Sequence, residues 1–385
     1  MTYSNEVNPK FVDIEGRGNV TTIEPDWFRQ SEDWRDDHYP KNRRYPLLLD
    51  EILNQFTVTS LEAQQAIPFD TKAAIACLKR HVGARVIGVD IGGGKAVATV
   101  QTVIRGAFTT SAILGYLESR DGDGYLDFLR KIARNALETS LPVALYVGAK
   151  LDGSRLVRTS HMGKLYNELK REYDGDFARI FPSGVVVNDA VAGMAGMVIA
   201  SGYMMSNENT ILLIVGGGLG GSVLKDGHIW TTEHGRIEAT EEFDWPGSKM
   251  RRGDQPLYLK HVVPITAGVE ADWEAFTGQR ADGRKITRLV KQGDQLAEGL
   301  LTRSAWGAAH AVIGIGRAFD LFQKTLDTSV FIHGGGSAIT GYTERIRCIL
   351  QNHLGYRPPI FQTEYYNNAC LLGAGTLGLF AAEEK

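Results

Sequence analysis

The chain has 385 residues, 43% of them hydrophobic and 23% charged, with a formal net charge of −3 and a pI near 6.3. That length has room for two domains and a sizeable core, and the charge balance offers no basic face of the kind nucleic-acid binders carry. Three scattered cysteines, Cys77, Cys348 and Cys370, exclude a disulfide framework or a zinc cluster and suggest reduced thiols in a cytoplasmic setting. No stretch reaches the ~18 uninterrupted apolar residues of a membrane helix. The opening MTYSNEVNPK lacks the apolar core of a signal peptide.

Residues 1–40 carry nine acids against four bases and little periodicity, which reads as an arm. Trp27 and Trp34 argue that part of it packs on something, because large aromatics in a free tail are a liability. Residues 46–83 hold short helical patterns, PLLLDEILNQF, SLEAQQAI and DTKAAIACLKRHV. A helix-turn-helix is one reading of that spacing. The would-be recognition helix Asp70–Val82 is mostly apolar, however, and offers phosphates only Lys72, Lys79 and Arg80. A helical cap on the domain that follows is the expectation.

From Arg85 the pattern becomes α/β. Val86–Lys95, VIGVDIGGGK, is a β-branched strand that ends in an aspartate, three glycines and a lysine. Gly92, Gly93 and Gly94 remove the side chains that would keep a phosphate off the backbone N–H groups, and Lys95 adds a positive charge. Asp90, at the strand end, is placed to hold Mg²⁺, directly or through water, since a hard cation wants oxygen ligands. Tyr125–Leu137 reads as an amphipathic helix and Val143–Val147 as a strand. The acids of Asp121-Gly122-Asp123-Gly124 lack the further ligands of a calcium loop and read as a solvated turn. In Val185–Met197, three valines run into Asn188-Asp189 and a series of small residues. Asp189 thus stands at a strand-to-helix junction, as an N-cap or as a carboxylate able to take a proton from a hydroxyl.

The strand-to-glycine pattern returns at ILLIVGGGLGG (211–221) and at VFIHGGGS (330–337). In the first two cases a strand, a glycine turn and a second strand lead through Arg105-Gly106 or Asp226-Gly227 into a third strand. This suggests internal duplication, with two similar lobes facing each other and a nucleotide between them.

Together DIGGGK (90–95), VNDAVA (187–192), VGGGLGGSVLKDGHI (215–229), EHGR (233–236), FIHGGGS (331–337) and NNACLLGAGTLGLF (367–380) resemble the ROK-type sugar kinases, relatives of actin and the heat-shock ATPases. The resemblance covers about residues 85–383 and leaves the first 80 or so unexplained. It implies an α/β fold of two ribonuclease-H-like lobes around a central cleft, preceded by an N-terminal helical extension. The implied boundaries are 1–83 for the arm and extension, 84–186 for the small lobe, completed by a C-terminal helix at 369–385, and 187–368 for the large lobe. It makes Asp189 the catalytic base and Asn188 and Glu233 ligands of sugar hydroxyls. Arg236, Glu238 and His161 join this substrate-binding set. Gly216, Gly217, Gly218 and Gly220 would hold ATP phosphates together with Gly92, Gly93, Gly94 and Lys95, while Gly334, Gly335 and Gly336 would border the adenosine.

The departures matter as much. Gly94 and Gly217 stand where that family has threonines, and Arg236 stands where it has a sugar-binding histidine. The family's zinc-binding cysteines are absent between 237 and 300, so no zinc is expected. The segment Glu241–Asp254 that replaces them reads as a surface loop, with its arginines meeting the acids of the N-terminal arm. The expectation is a cytoplasmic, homodimeric kinase of a sugar, amino sugar or cyclitol hydroxyl that uses ATP and Mg²⁺, without membrane or nucleic-acid partners. The alternatives are a non-catalytic sugar sensor and a ROK-type transcriptional repressor.

Overall fold

The computed structural model describes residues 66–383, apart from 105–106, 120, 160, 202–208, 233, 240–242, 244, 323–327, 355–359 and 363–367. The expectations for the arm, including Trp27 and Trp34, and for most of the 46–83 block lie outside the described residues. The described part begins with a short strand, β1 (Ala66–Pro68), and helix α1 (Thr71–Arg80). Asp70 caps the helix, its carboxylate accepting the N–H groups of Lys72 and Ala73 at 2.8 and 3.0 Å. The end of SLEAQQAI is therefore extended, not helical as expected. Pro68 supplies the reason, because proline pushes the residue before it out of the helical region.

The first sheet is built from β2 (Arg85–Ile91), β3 (Lys95–Ile104), β4 (Ala107–Glu118), β5 (Val143–Val147) and β8 (Val185–Asn188), in the order β4-β3-β2-β5-β8. Its first three strands are antiparallel, whereas β5 and β8 join parallel to β2. Between them come helix α2 (Tyr125–Thr139), the hairpin β6 (Lys150–Asp152) and β7 (Arg155–Arg158), and helix α3 (Gly163–Tyr173). One face of the sheet, carrying Ile87, Val89, Ile91 and Leu145, packs on α2 and α3.

Helix α4 (Asp189–Ser201) leads into the second sheet, which repeats the arrangement. Strands β9 (Asn209–Val215), β10 (Leu219–Lys225) and β11 (His228–Thr232) are antiparallel, and β12 (Thr328–His333) and β13 (Ile360–Gln362) follow in parallel, giving β11-β10-β9-β12-β13. β1 is added outside β11, with Ile67 opposite Ile229. The intervening helices are α5 (Pro246–Arg252), α6 (Ala271–Thr277), α7 (Gly283–Lys291), α8 (Gln295–Ala318) and α9 (Tyr342–Leu354), and the chain closes with α10 (Asn368–Glu383). Two sheets with one strand order are what a duplication requires.

Each sheet is thus followed by a helix rich in small residues, α4 after the first and α10 after the second, and these two pack together between the sheets. Their backbones touch. A Cβ on Gly196 would lie 1.7 Å from the carbonyl oxygen of Ala369, and one on Gly373 would lie 1.9 Å from that of Ala192. The small-residue runs in both helices are therefore set by a close crossing that no larger side chain would permit. Among the described residues no helix is long and apolar enough to cross a membrane.

The described residues of the segment 241–254 differ from the surface loop expected of them. Trp245 is extended, Pro246 opens helix α5 as proline can at a first turn, and Trp245, Gly247 and Ser248 are buried. Arg251 points inward, donating from Nε to Asp272 at 2.7 Å and from its two terminal nitrogens to the carbonyls of Ala267 and His261. Asp272, fully buried, also accepts from Ser248 Oγ at 3.0 Å and from Arg303 at 2.5 Å. The Arg303 guanidinium lies 5.6 Å from the Trp245 ring centre, and Trp245 meets Phe276 edge-on. An ion-paired cluster inside the lobe holds this segment, and the partner of Arg251 is Asp272 rather than an acid of the arm.

Candidate active site

The parallel strands β2, β5 and β8 end side by side, with Asp90 paired to Tyr146 and Tyr146 to Val187, then Ile91 to Val147 and Val147 to Asn188. Asp90 and Asp189 are therefore at one edge of the first sheet, two strands apart, at the carboxyl ends where open α/β sheets bind ligands. Asp90 shares its face with Gly88, where a Cβ would come within 2.8 Å of Leu371, so this face looks toward α10. Burial pushes the Asp90 carboxyl up to about 6, and the Lys95 charge and the Tyr146 hydroxyl that donates to it hold the rise back. Tyr146 is itself buried, and burial and then the Asp90 charge raise its hydroxyl well above the ordinary range. The thiol of Cys370 is raised likewise, by burial and then by the charges of Asp189 and Asp90. Tyr146 and Cys370 thus lie within electrostatic reach of both carboxylates.

Asp189 is the first residue of α4. The N–H of Ala190 is shared by Asp189 Oδ1 at 2.9 Å and Asn188 Oδ1 at 2.8 Å, and the Asn188 amide donates to the Ala149 carbonyl at 2.9 Å. Asn188 therefore supplies the helix cap and ties β8 to the end of β5. The other Asp189 oxygen lies over Gly148, where a Cβ would come within 3.3 Å of it. On the far side, Ser222 of β10 donates to the Ala190 carbonyl at 2.8 Å. This bond ties the residue after Asp189 to the second sheet.

The glycines of the three turns divide into two kinds. Gly94, Gly216, Gly217, Gly218 and Gly335 face open space, with nothing within 4 Å of an added Cβ, and Gly92 and Gly220 meet only an atom at 3.7 and 3.9 Å. These positions leave backbone accessible to a ligand. Gly93, Gly334 and Gly336 serve packing instead. A Cβ on Gly93 would come within 2.6 Å of His161, while Gly334 (φ +95°) and Gly336 press on Val215 at 2.5 and 2.6 Å. Because Val215 ends β9, the third turn is seated directly against the second. The first turn is fixed by Tyr125, whose hydroxyl donates to the Gly92 carbonyl at 2.9 Å, and the second by Ile265, whose N–H donates to Gly216 at 3.0 Å.

Of the substrate-side candidates, Glu233 is outside the described residues, and Arg236 and Glu238 are exposed on the segment after β11. His161 is exposed beside Gly93, in a segment anchored by Asp121, whose carboxylate accepts the Gly163 N–H at 2.6 Å. The Asp121–Gly124 turn thus has a structural partner. His234, between Glu233 and Gly235, is fully buried against Gly221 and bonded to Thr232 Oγ1 at 2.7 Å, and burial holds its imidazole down to about 4. Among the described residues no three His, Cys, Asp or Glu side chains converge on a metal position. Mg²⁺ keeps several waters and needs only one or two carboxylates, a demand that Asp90 and Asp189 fit.

Tyr125, Tyr146, Gly148, Ser222 and Cys370 escaped the sequence reading. Tyr125 and Tyr146 had a signal, being aromatics at the start of a helix and in a strand next to a glycine turn; the others had none outside the fold.

Two sheets of one strand order, with glycine turns at their strand ends and two helices packed between them, make the two-lobed fold of the actin-like ATPases. Within it, the chain has the fold of the ROK-family sugar kinases. Glucokinase from Balamuthia mandrillaris, solved with glucose, superposes with a TM-score of 0.59 at 14% identity over 82% of this chain and 99% of that one. A ROK-family glucokinase from Streptomyces griseus, solved with glucose and AMPPNP, gives 0.52 at 19% identity over 76% and 99%. A ROK-family transcriptional regulator, homologous to the E. coli MLC protein, gives 0.55 at 15% identity over 83% and 86%. No protein-family model matches the chain, and the comparison with curated proteins gave no match.

Proposed function

We propose that the protein is an ATP-dependent kinase of a hydroxyl on a sugar or sugar-like polyol. The observation that carries this reading is the position of Asp189, at the edge that bears Asp90 and the first glycine turn and next to Ala190, whose carbonyl accepts from Ser222 of the second sheet. The sugar and the nucleotide analogue bound by proteins of the same fold support it. Asp189 accepts the proton of the acceptor hydroxyl as that oxygen bonds to the γ-phosphorus. The bond from this phosphorus to the β–γ bridging oxygen breaks, and ADP leaves. Backbone N–H groups of the open glycines and the Lys95 ammonium meet phosphate charge, a larger task here because Gly94 and Gly217 bring no hydroxyl. Mg²⁺ held by Asp90, directly or through water, would supply further charge neutralisation.

The test is ADP release from ATP across a panel of hexoses, amino sugars and cyclitols, with Asp189→Asn as control. The amide keeps shape and helix start but cannot take the proton, so turnover should fall about 10²–10⁴-fold with both ligands still bound. Near wild-type kcat in that variant removes Asp189 from the mechanism. A second reading, a sugar-responsive regulator without turnover, is favoured by the regulator of the same fold and by the glycines at 94 and 217. Sugar binding without ADP release, together with a salt-dependent shift of DNA mobility, would select it.

A further inference from the structure

Ser222 is a buried hydroxyl inside a strand, where β-branched and aromatic residues are favoured and an unbonded hydroxyl is costly. It stands in β10 between Gly221 and Val223, opposite Leu212 of β9 on one side and Thr231 of β11 on the other. Its hydrogen-bond partner lies outside the sheet. The Oγ donates at 2.8 Å to the carbonyl of Ala190, the residue after Asp189.

A second side chain does the same one residue earlier. The Cys370 thiol, in the first turn of α10, donates to the carbonyl of Asp189 itself at 3.6 Å, an ordinary distance for sulfur. Asn188 accepts the Ala190 N–H and donates to the Ala149 carbonyl, so the start of α4 is held from the end of β5, from β10 and from α10. Gly193, one helical turn beyond Asp189, leaves room for both approaches: a Cβ there would lie 3.1 Å from Leu212 and 3.5 Å from the Cys370 sulfur.

In an α-helix the carbonyls of residues 189 and 190 take the N–H groups of residues 193 and 194. Neither carbonyl therefore needs Ser222 or Cys370 in order to be paired, and each accepts through its second lone pair. What the two donors add is a fixed place for the helix end that bears the carboxylate. Ser222 is also only three residues past Leu219, where β10 leaves the open turn Gly216–Gly218. About 10 Å of paired strand thus separates glycines able to meet phosphate from the bond beside Asp189.

We propose that Ser222 and Cys370 are positioning residues for Asp189, holding the first turn of α4 so that its carboxylate meets an acceptor hydroxyl at a fixed distance from the second glycine turn. This rests on the kinase reading above. A base displaced by a fraction of an ångström forfeits much of the gain from orientation, whereas binding of either ligand in the ground state is indifferent to where the base stands.

The experiment uses the full chain, the best acceptor of the sugar panel, and the variants Ser222→Ala, Cys370→Ala and the two combined. Because each carbonyl keeps its helical partner, neither change leaves a buried acceptor unpaired, and the variants should fold. The single variants carry the same readouts should the double variant unfold. kcat should fall about tenfold in each single variant and further in the double one, with the KM for ATP and for the acceptor within about twofold. Cys370→Ser, which restores a donor, should recover most of the loss. Hydrogen exchange followed by mass spectrometry should quicken over the first turns of α4 and stay unchanged in β2. A lower thermal midpoint with kcat intact would give the two side chains a structural role alone and overturn the proposal. So would a loss confined to KM, or a loss of kcat that Cys370→Ser leaves in place. If the unsubstituted protein releases no ADP with any acceptor, the kinase reading falls instead. The exchange measurement then decides the inference, faster exchange confined to the start of α4 upholding it and unaltered exchange overturning it.

Discussion

Replacing Asp272 by Asn should destabilise the protein by about 3–5 kcal/mol, the range for removing one partner of a buried ion pair. The structure gives the reason for a value in that range. Asp272 is fully buried and accepts from Ser248, Arg251 and Arg303, and the Arg303 side chain is 4% exposed. Arg303 Nε and Nη1 are buried without a hydrogen-bond partner, so its pairing with Asp272 and Ser248 and the Trp245 ring are what offset its desolvation. Arg251 is less exposed to the loss, because it keeps the Ala267 and His261 carbonyls. Urea unfolding followed by tryptophan fluorescence and by circular dichroism measures the change, coincident transitions licensing a two-state treatment. The double variant Asp272→Leu with Arg303→Met should recover most of the loss, since an apolar replacement of a buried pair is often neutral. A cost below about 1 kcal/mol for Asp272→Asn, or additive losses in the double variant, would refute the view that this cluster clamps the segment. A chelator that spares Mg²⁺ should leave activity and stability unchanged.

Gly217→Val should weaken ATP binding at least tenfold and leave sugar binding within about twofold, as a branched side chain would fill open space at the second turn; calorimetry with each ligand separates the two, and the reverse pattern would mean the sites are exchanged. Gly196→Leu should cost more than the usual 1–3 kcal/mol of overpacking, because its Cβ would meet a backbone carbonyl rather than a side chain; an unchanged thermal midpoint would disprove the close crossing of α4 and α10. His234 has a folded-state pKa of about 4 against an ordinary value near 6.5, so the unfolded chain binds its proton first as pH falls. The associated stability is intact above about pH 6.5 and is lost, by about 3 kcal/mol, as pH drops toward 4. His234→Gln should flatten that part of the stability–pH curve, and an unaltered curve would mean the ring is not held neutral.

Much of the fold was legible in the sequence because its signals are local. Val143–Val147 and His228–Thr232 have the bounds expected of them, since alternation and turn residues mark strand ends without reference to neighbours. The recurrence of strand, glycine turn and strand pointed to a duplication, and both sheets have one strand order. Asp90, Asp189 and the three glycine turns could be singled out for the same reason: each is a residue type at a strand end, where the chain itself sets what the backbone can do.

What only the tertiary structure decided depends on partners distant in the chain. Nothing in GGG tells Gly335, which faces open space, from Gly334 and Gly336, which are spaces for Val215. The small residues of α4 acquire a reason only when α10 crosses them at backbone distance. Arg251 in an apparently solvated stretch is an inward cation because Asp272 and Arg303 surround it, and Ala66 is extended because β11 offers an unpaired edge beside Pro68. Sequence patterns report the conformations a segment prefers; which groups are desolvated, and therefore must be paired or kept small, is settled only when non-local surfaces close on one another.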